Sequence, residues 1–139
     1  MSGAVHALDT SVSVPLCLAS HPLNDALSEW AKGKDIRLTA HSLAEAYAVL
    51  TRLPGGARLA PEHAASILED GFGPALAIDP RTAVSVHRRL AEAGIAGGAV
   101  FDALIALTAL EHQAVLVSRD IRAKATYALL GVNALAPLP

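Results

Sequence analysis

Four acidic residues stand where carboxylates can do chemistry together. Asp9 ends a short apolar run and Glu45 lies near the start of a helical pattern. Asp102 opens a helix behind a glycine-containing loop, and Asp120 follows the apolar run at 115–118. Carboxylates within a few ångströms repel and bind protons unless a cation holds them together. Mg²⁺ and Mn²⁺ prefer oxygen ligands and activate water, so four converging acids would indicate hydrolysis of a phosphodiester bond.

Three of these acids also have structural interpretations. Glu45 stands three residues after Ser42, which is the spacing of a capping box, and taken alone this interpretation is favoured. Asp102 and Asp120 could each be the N-cap of the helix that follows. The type and position of a single residue therefore do not decide between capping and catalysis.

Asp9 is harder to assign to structure alone. It ends an apolar strand, where an unpaired carboxylate near a core is costly, although it could cap the next helix. Asp79 follows a predicted strand in the same way and is followed by Pro80, which predicts an N-cap with proline at the first helical position. Position alone does not separate Asp79 from the other four acids.

Short apolar runs alternate with helical patterns along the chain. The predicted strands are Val5 to Asp9, Ile36 to Ala40, Ala75 to Asp79, Val115 to Ser118 and a weak fifth at Val132 to Leu135. The predicted helices are Ser13 to Ala19, Asn24 to Lys32, Ser42 to Leu53, Pro61 to Glu69, Pro80 to Ala93, Phe101 to His112 and Ile121 to Leu130. This alternation predicts an α/β fold with a mostly parallel sheet covered on both faces. The carboxyl ends of such strands share one edge, where sites form.

Composition limits the class of protein. The 139 residues are 53% hydrophobic and 17% charged, which fits one domain spanning residues 1–139 and excludes disorder. So apolar a chain predicts exposed apolar patches and hence an oligomer or a protein partner. No signal peptide or membrane-spanning stretch is recognisable, and the single cysteine fits a reducing compartment. We therefore expect a cytoplasmic protein without a membrane association.

The acidic residues also sit in recognisable motifs. The motifs are Leu8-Asp9-Thr10-Ser11-Val12, Glu45 within the stretch Ser42 to Pro54, Asp102 within Val100 to Ala106, and Leu116-Val-Ser-Arg-Asp120. In order and spacing they resemble the PIN-domain family, and within it the VapC-type ribonuclease toxins of bacterial toxin–antitoxin pairs. The resemblance spans essentially the whole chain. It implies a three-layer α/β/α sandwich, a Mg²⁺- or Mn²⁺-dependent endoribonuclease, and a cognate small antitoxin whose C-terminal segment blocks the site.

The resemblance also implies roles for particular residues. The catalytic and metal-binding set would be Asp9, Glu45, Asp102 and Asp120. Asp9 and Asp102 would be direct metal ligands, and the other two acids would act through water or a second ion. Ser11 and Ser118 occupy hydroxyl positions of the family and would orient ligands or water, or else cap the following helix.

The charge balance is compatible with RNA as substrate. The formal net charge is −2, but setting the four acids aside leaves 9 of the 13 acidic residues against 11 basic ones. Arg119, Arg122 and Lys124 flank Asp120 and are candidate phosphate contacts, with a solvated helix face as the alternative. Only five aromatic residues are present, which disfavours a broad base-stacking platform. We expect recognition of a structured RNA by shape and phosphate geometry.

Other functions fit the sequence less well. A phosphatase would have a second Asp two residues after Asp9, a receiver module would have a Lys at the end of the Val115 strand, and no nucleotide-binding glycine motif occurs. A catalytically silent PIN-like module that binds RNA or protein is the remaining alternative. For the active toxin we expect a homodimer, with antitoxin docking on the helices Asn24 to Lys32 and Ser42 to Leu53.

Overall fold

Three parallel strands form the centre of the fold, and helices connect them. A computed structural model describes residues 3–139; residues 1 and 2, which the predicted domain boundaries include, lie outside the described range. The strands are β1 (Val5–Leu8), β2 (Asp35–Arg37) and β3 (Val115–Val117). The helices are α1 (Thr10–Cys17), α2 (Asn24–Ala31), α3 (Ala40–Thr51), α4 (Pro61–Gly71), α5 (Pro80–Ala83), α6 (Val86–Glu92), α7 (Ala99–Glu111) and α8 (Ile121–Leu129). A 3-10 turn spans Gly55–Ala57.

The sheet has the order β2-β1-β3, with β1 parallel to both neighbours. The predicted strand at 75–79 is wrong, because only Leu76 forms a bridge, with Thr39 beyond the end of β2, and the chain then turns into helix α3 at Ala40. The weak fifth strand is also wrong. Leu135 donates its N–H to Leu116, but the next N–H on that side would belong to Pro137, which has none. The sheet therefore ends in a single bridge at each edge.

Each strand sends alternate side chains to opposite faces of the sheet. Ala7 and Leu116 belong to one buried cluster, together with residues of α6, α7 and α8. Leu8 and Val117 belong to a second buried cluster, together with residues of α1, α2, α3 and α4. Two apolar cores on either side of one parallel sheet confirm the predicted three-layer α/β/α sandwich.

Two predicted helices differ in extent. Helix α1 begins three residues earlier than predicted, because Asp9 caps it by accepting a hydrogen bond from the backbone N–H of Ser11. The helix predicted over 80–93 divides into α5 and α6. At the break, the Ser85 hydroxyl donates to the carbonyl of Arg81, a local bond that competes with regular helix.

The start of α3 corrects the predicted capping box. Thr39 is the N-cap, and its Oγ1 accepts from the Ser42 N–H at 3.0 Å while Ser42 Oγ accepts from the Thr39 N–H at 2.9 Å. The predicted pairing of Ser42 with Glu45 is therefore wrong. Because the helix begins at Ala40, Glu45 lies in its second turn and has no capping role.

Candidate active site

The loops that leave β1 and β3 meet at the carboxyl edge of the sheet. The Asp9 N–H donates to the carbonyl of Val117 at 3.1 Å, which joins the ends of the two strands. Ser11 Oγ donates to Asp9 Oδ1 and accepts from the backbone N–H of Arg119 at 2.8 Å. Ser11 thus links the first acidic motif to the last across 108 residues of sequence.

Asp9 is buried and held at both carboxylate oxygens. It is 4% exposed; Oδ1 accepts from the N–H and the hydroxyl of Ser11, and Oδ2 accepts from the Tyr127 hydroxyl at 2.9 Å. Burial, together with the neighbouring Asp9 charge, raises the pKa of Tyr127, so the phenol stays protonated and remains a donor. Sequence reasoning missed Tyr127; the available signal was a tyrosine in an apolar helix, whose hydroxyl needs a partner when buried.

Asp120 caps α8, as its structural interpretation predicts. Its Oδ1 accepts from the N–H groups of Arg122 at 2.9 Å and Ala123 at 3.4 Å. Ser118 Oγ in turn accepts from the N–H of Asp120 at 3.0 Å. Capping does not exhaust a carboxylate, which offers about four lone-pair sites. The same side chain can therefore cap a helix and face a ligand.

Asp102 differs from both of these acids. It lies in the first turn of α7, whose N-cap is Gly98, so its predicted capping role is wrong. Burial raises the pKa of Asp102 above its ordinary value, and the charges of Asp120, Glu45 and Asp9 raise it further. The other three predicted acids therefore each lie within electrostatic reach of Asp102.

Glu45 approaches Asp102 from α3 and has a histidine beside it. Its Oε1 lies 3.2 Å from His41 Nε2, a contact that becomes an ion pair when the imidazole is protonated. The His41 ring stacks on Phe101, with ring centroids 5.5 Å apart and planes 3° from parallel. Sequence reasoning missed both His41 and Phe101, because nothing in their spacing shows that α3 and α7 bring them together.

The acids fit a hydrated divalent cation better than a fully protein-bound one. Across residues 3–139, no group of three or more His, Cys, Asp or Glu side chains is arranged to hold a metal directly. Mg²⁺ keeps several waters and is bound through one or two carboxylates. A half-buried carboxylate whose charge is disfavoured by three others is the environment that such an ion stabilises.

The predicted phosphate-binding residues lie at the same edge. Arg119, Arg122 and Lys124 are all exposed around the start of α8. Arg122 Nε lies 3.7 Å from Asp120 Oδ1, its side chain is 95% exposed, and its charge lowers the pKa of Asp102. Contact with RNA stays a prediction for all three.

None of the helices in the described range has the length and apolar character needed to cross a membrane.

Known proteins share both the sequence and the fold. The family model described as PIN domain matches residues 7–129. The chain is 47% identical over 127 residues to "Ribonuclease VapC27" of Mycobacterium tuberculosis (strain ATCC 25618 / H37Rv), covering 91% of this chain and 93% of that protein. It is 39% identical over 131 residues to "Ribonuclease VapC40" of Mycobacterium tuberculosis (strain CDC 1551 / Oshkosh), covering 91% and 95%.

A solved structure shows the same fold at low sequence identity. The chain aligns with "Structure of FitAB bound to IR36 DNA fragment" at a TM-score of 0.69 and 22% identity, covering 95% of this chain and 94% of that one. The four acidic motifs all fall within the matched residues 7–129. From the family model and the two relatives together, we conclude that the chain belongs to the PIN-domain family and is of the VapC type.

Proposed function

We propose that this protein is a Mg²⁺- or Mn²⁺-dependent endoribonuclease that acts as the toxin of a toxin–antitoxin pair and cleaves structured RNA. Two relatives named as ribonucleases, each matched over most of its length, support the reaction class. The raised pKa of Asp102 beside three other acids is the observation that carries the site. Carboxylates are brought together in this way at functional sites, where a cation or a reaction uses them.

In this proposal Asp9 and Asp102 bind the metal directly, and Glu45 and Asp120 act through water or a second ion. When bound, the ion supplies an activated water and stabilises negative charge on phosphate oxygens. The chain's own contribution is positioning. Tyr127 and Ser11 fix the Asp9 carboxylate, and Ser118 and the start of α8 fix Asp120.

The basic residues at the edge of the site complete the substrate contacts. Arg119, Arg122 and Lys124 would neutralise phosphates on either side of the cleaved bond. Because such contacts read the backbone rather than the bases, they suit an RNA recognised by its shape.

Cleavage of total cellular RNA by the purified, antitoxin-free protein tests this function. We expect discrete fragments with Mg²⁺ or Mn²⁺, and no fragments with EDTA or in Asp102→Asn. A folded, antitoxin-free sample that cleaves nothing with either metal would instead favour a catalytically silent RNA- or protein-binding module.

The antitoxin is proposed to bind beside α3. An open, mostly apolar groove of about 350 Å³ runs between α3 and α4, lined by Ala40, Leu43, Ala44, Tyr47, Ala65 and Leu68, with Glu69 as its one charged residue. A second cavity, of about 290 Å³, borders α2. An amphipathic helix that lays its apolar face into a groove is a common mode of partner binding. The helices predicted for docking thus each border an open cavity.

The remaining properties of the whole chain are also proposals. Residues 1–139 would form one domain, since β1 contributes to both apolar cores. We also propose that the protein is cytoplasmic. A homodimer would cover exposed apolar side chains such as Val84 (79% exposed) and Ile121 (86% exposed). Sedimentation velocity on the wild type and on Ile121→Asp tests this: the wild type should sediment as a dimer and the variant as a monomer.

A further inference from the structure

One aromatic ring beside the acids is not used by the proposed chemistry. Phe101 directly precedes Asp102 in the first turn of α7, and it is 52% exposed. A single exposed apolar side chain is common on protein surfaces, so the interest of Phe101 comes from its place beside the acids. Sequence reasoning gave this residue no role.

The Phe101 ring is held in place from one side. Its plane lies 3° from that of His41, with centroids 5.5 Å apart, so the two rings are stacked with an offset. His41 belongs to α3, and its Nε2 lies 3.2 Å from Glu45 Oε1 without a hydrogen bond of good geometry. With this neighbour in place, Phe101 still has about half of its surface accessible to solvent.

Three other aromatic side chains have different surroundings. Tyr127 is fully buried and bonded to Asp9. Trp30 packs edge-on against His6 and lies under Lys34 Nζ, which is 4.9 Å from the ring centroid. Tyr47 lines the groove between α3 and α4. Among these four aromatic residues, Phe101 is the one that is half-exposed and adjoins one of the acids in sequence.

We infer that the stacked pair of Phe101 and His41 is a platform for one unpaired nucleobase of the RNA, beside the phosphate that is cleaved. This rests on the proposed function. Every base has a π-face that stacks on an aromatic ring, whereas the faces of bases within a duplex are already covered by their neighbours. The platform would therefore select an unpaired loop nucleotide of a structured RNA, next to acids positioned to cleave it.

Binding in EDTA tests the platform without cleavage. The probes are a fluorescein-labelled RNA stem–loop with an unpaired loop and a blunt RNA duplex with the same stem, measured by anisotropy at one salt concentration. We expect Phe101→Ala to weaken stem–loop binding by about 5- to 150-fold, the range for loss of one stacked base, and to leave duplex binding unchanged. Leu110→Ala is the matched control, because it truncates an exposed apolar side chain at the other end of α7 and should not change binding.

Conservative replacement separates stacking from a structural effect. Phe101→Trp should bind the stem–loop within about 3-fold of the wild type, since indole stacks at least as well. The added indole fluorescence of this variant should be quenched by the stem–loop and not by the duplex. Circular dichroism of each variant should match the wild type.

The outcomes separate this inference from the proposed function. Suppose that the wild type cleaves RNA. If Phe101→Ala then binds the stem–loop as well as the wild type does, or binds both probes equally weakly, the platform is overturned and the proposed function is not. If Phe101→Ala binds RNA normally but sediments differently from the wild type, the ring is a contact between copies of the chain. This result also overturns the platform. A wild type that neither binds nor cleaves RNA would overturn the proposed function.

Discussion

Asp9 and Asp102 meet their surroundings in opposite ways. Asp9 is nearly inaccessible, yet hydrogen-bond donors from Ser11 and Tyr127 compensate its charge. Asp102 is more open, but it lies beside three like charges that disfavour its ionised form. Two acids of the same type are thereby given different tasks: one carboxylate is fixed in orientation, and the other carries the charge that a cation would relieve.

Asp102→Asn should raise the melting temperature at pH 7 in EDTA. Folding raises the pKa of this carboxyl, so its contribution to the stability of the folded state is lost as the pH rises from its ordinary pKa of 3.8 through the folded value. An amide does not titrate and causes no such loss. The gain over the wild type should therefore grow as the pH rises from about 4, and it should level off once the pH exceeds the folded pKa. Mg²⁺ should stabilise the wild type more than this variant.

Thermal unfolding across this pH range with and without Mg²⁺ measures both effects. Asp70→Asn, at an exposed position near the end of α4, is the control and should not alter the response to Mg²⁺. A lower melting temperature for Asp102→Asn than for the wild type in EDTA at pH 7 would contradict the prediction.

Tyr127→Phe should weaken Mn²⁺ binding by about 10- to 100-fold, because a ligand that loses its supporting hydrogen bond is less well oriented. It should also lower the free energy of unfolding by about 1–3 kcal/mol, since the buried Asp9 carboxylate loses a donor. Calorimetric titration with Mn²⁺ and urea unfolding measure the two effects. Tyr47→Phe removes a hydroxyl from a partly exposed ring and should change neither. Equal Mn²⁺ affinity in Tyr127→Phe and the wild type would show that Tyr127 does not position a ligand.

At the level of secondary structure, the residue at which α3 begins determines the positions of His41 and Glu45 on the helix. The reciprocal bonds between Thr39 and Ser42 begin the helix at Ala40. His41 then lies in the first turn and Glu45 in the second, so these residues, four positions apart, share one face of the helix. Ser42 Oγ also approaches the carbonyl of Leu8 at 3.4 Å, which ties this helix end to β1.

Thr39→Ala should lower the free energy of unfolding by about 1–2 kcal/mol, since it removes the N-cap side chain and leaves the Ser42 N–H without its acceptor. The matched control is Thr51→Ala at the last residue of α3, where the hydroxyl bonds an exposed carbonyl. Its cost should stay within about 0.5 kcal/mol. Urea unfolding of both variants measures the difference, and equal losses would show that the cap does not stabilise the helix.

At the scale of the whole molecule, one sheet separates two apolar cores and leaves an open groove on one side. The groove lies between α3 and α4 on the side of the Leu8 core, whereas Phe101 belongs to α7. The His41 side chain on α3 stacks on Phe101, so α3 borders both the groove and the acids. A partner seated in the groove would consequently lie close to the candidate active site.

Ala44→Glu should weaken antitoxin binding at least about tenfold. Ala44 is an exposed position on the groove, so the variant should fold, and a buried unpaired carboxylate in the complex would be costly. Ala91→Glu makes the same change at an exposed position of α6 and should bind normally. Calorimetry with the purified antitoxin measures both affinities. Normal binding by Ala44→Glu would place the partner elsewhere.

Local patterns in the sequence were enough to predict the layered α/β plan and the edge at which Asp9 and Asp120 lie. Both follow from local information: apolar runs alternate with helical patterns, and parallel strands present their carboxyl ends at one edge. The four acidic motifs, read together, also led to the family, and the PIN domain match confirms it.

The residues that support the acids became visible through the packing of elements that are far apart in the sequence. The hydroxyl of Tyr127 reaches Asp9 across 118 positions, and His41 reaches Phe101 through the approach of α3 and α7. The edges of the sheet likewise depend on which segment of the chain lies beside each edge strand, as the single bridge at Leu76 shows. Spacing along a chain encodes the periodicity of one element, whereas contacts between distant elements depend on how their side chains pack together.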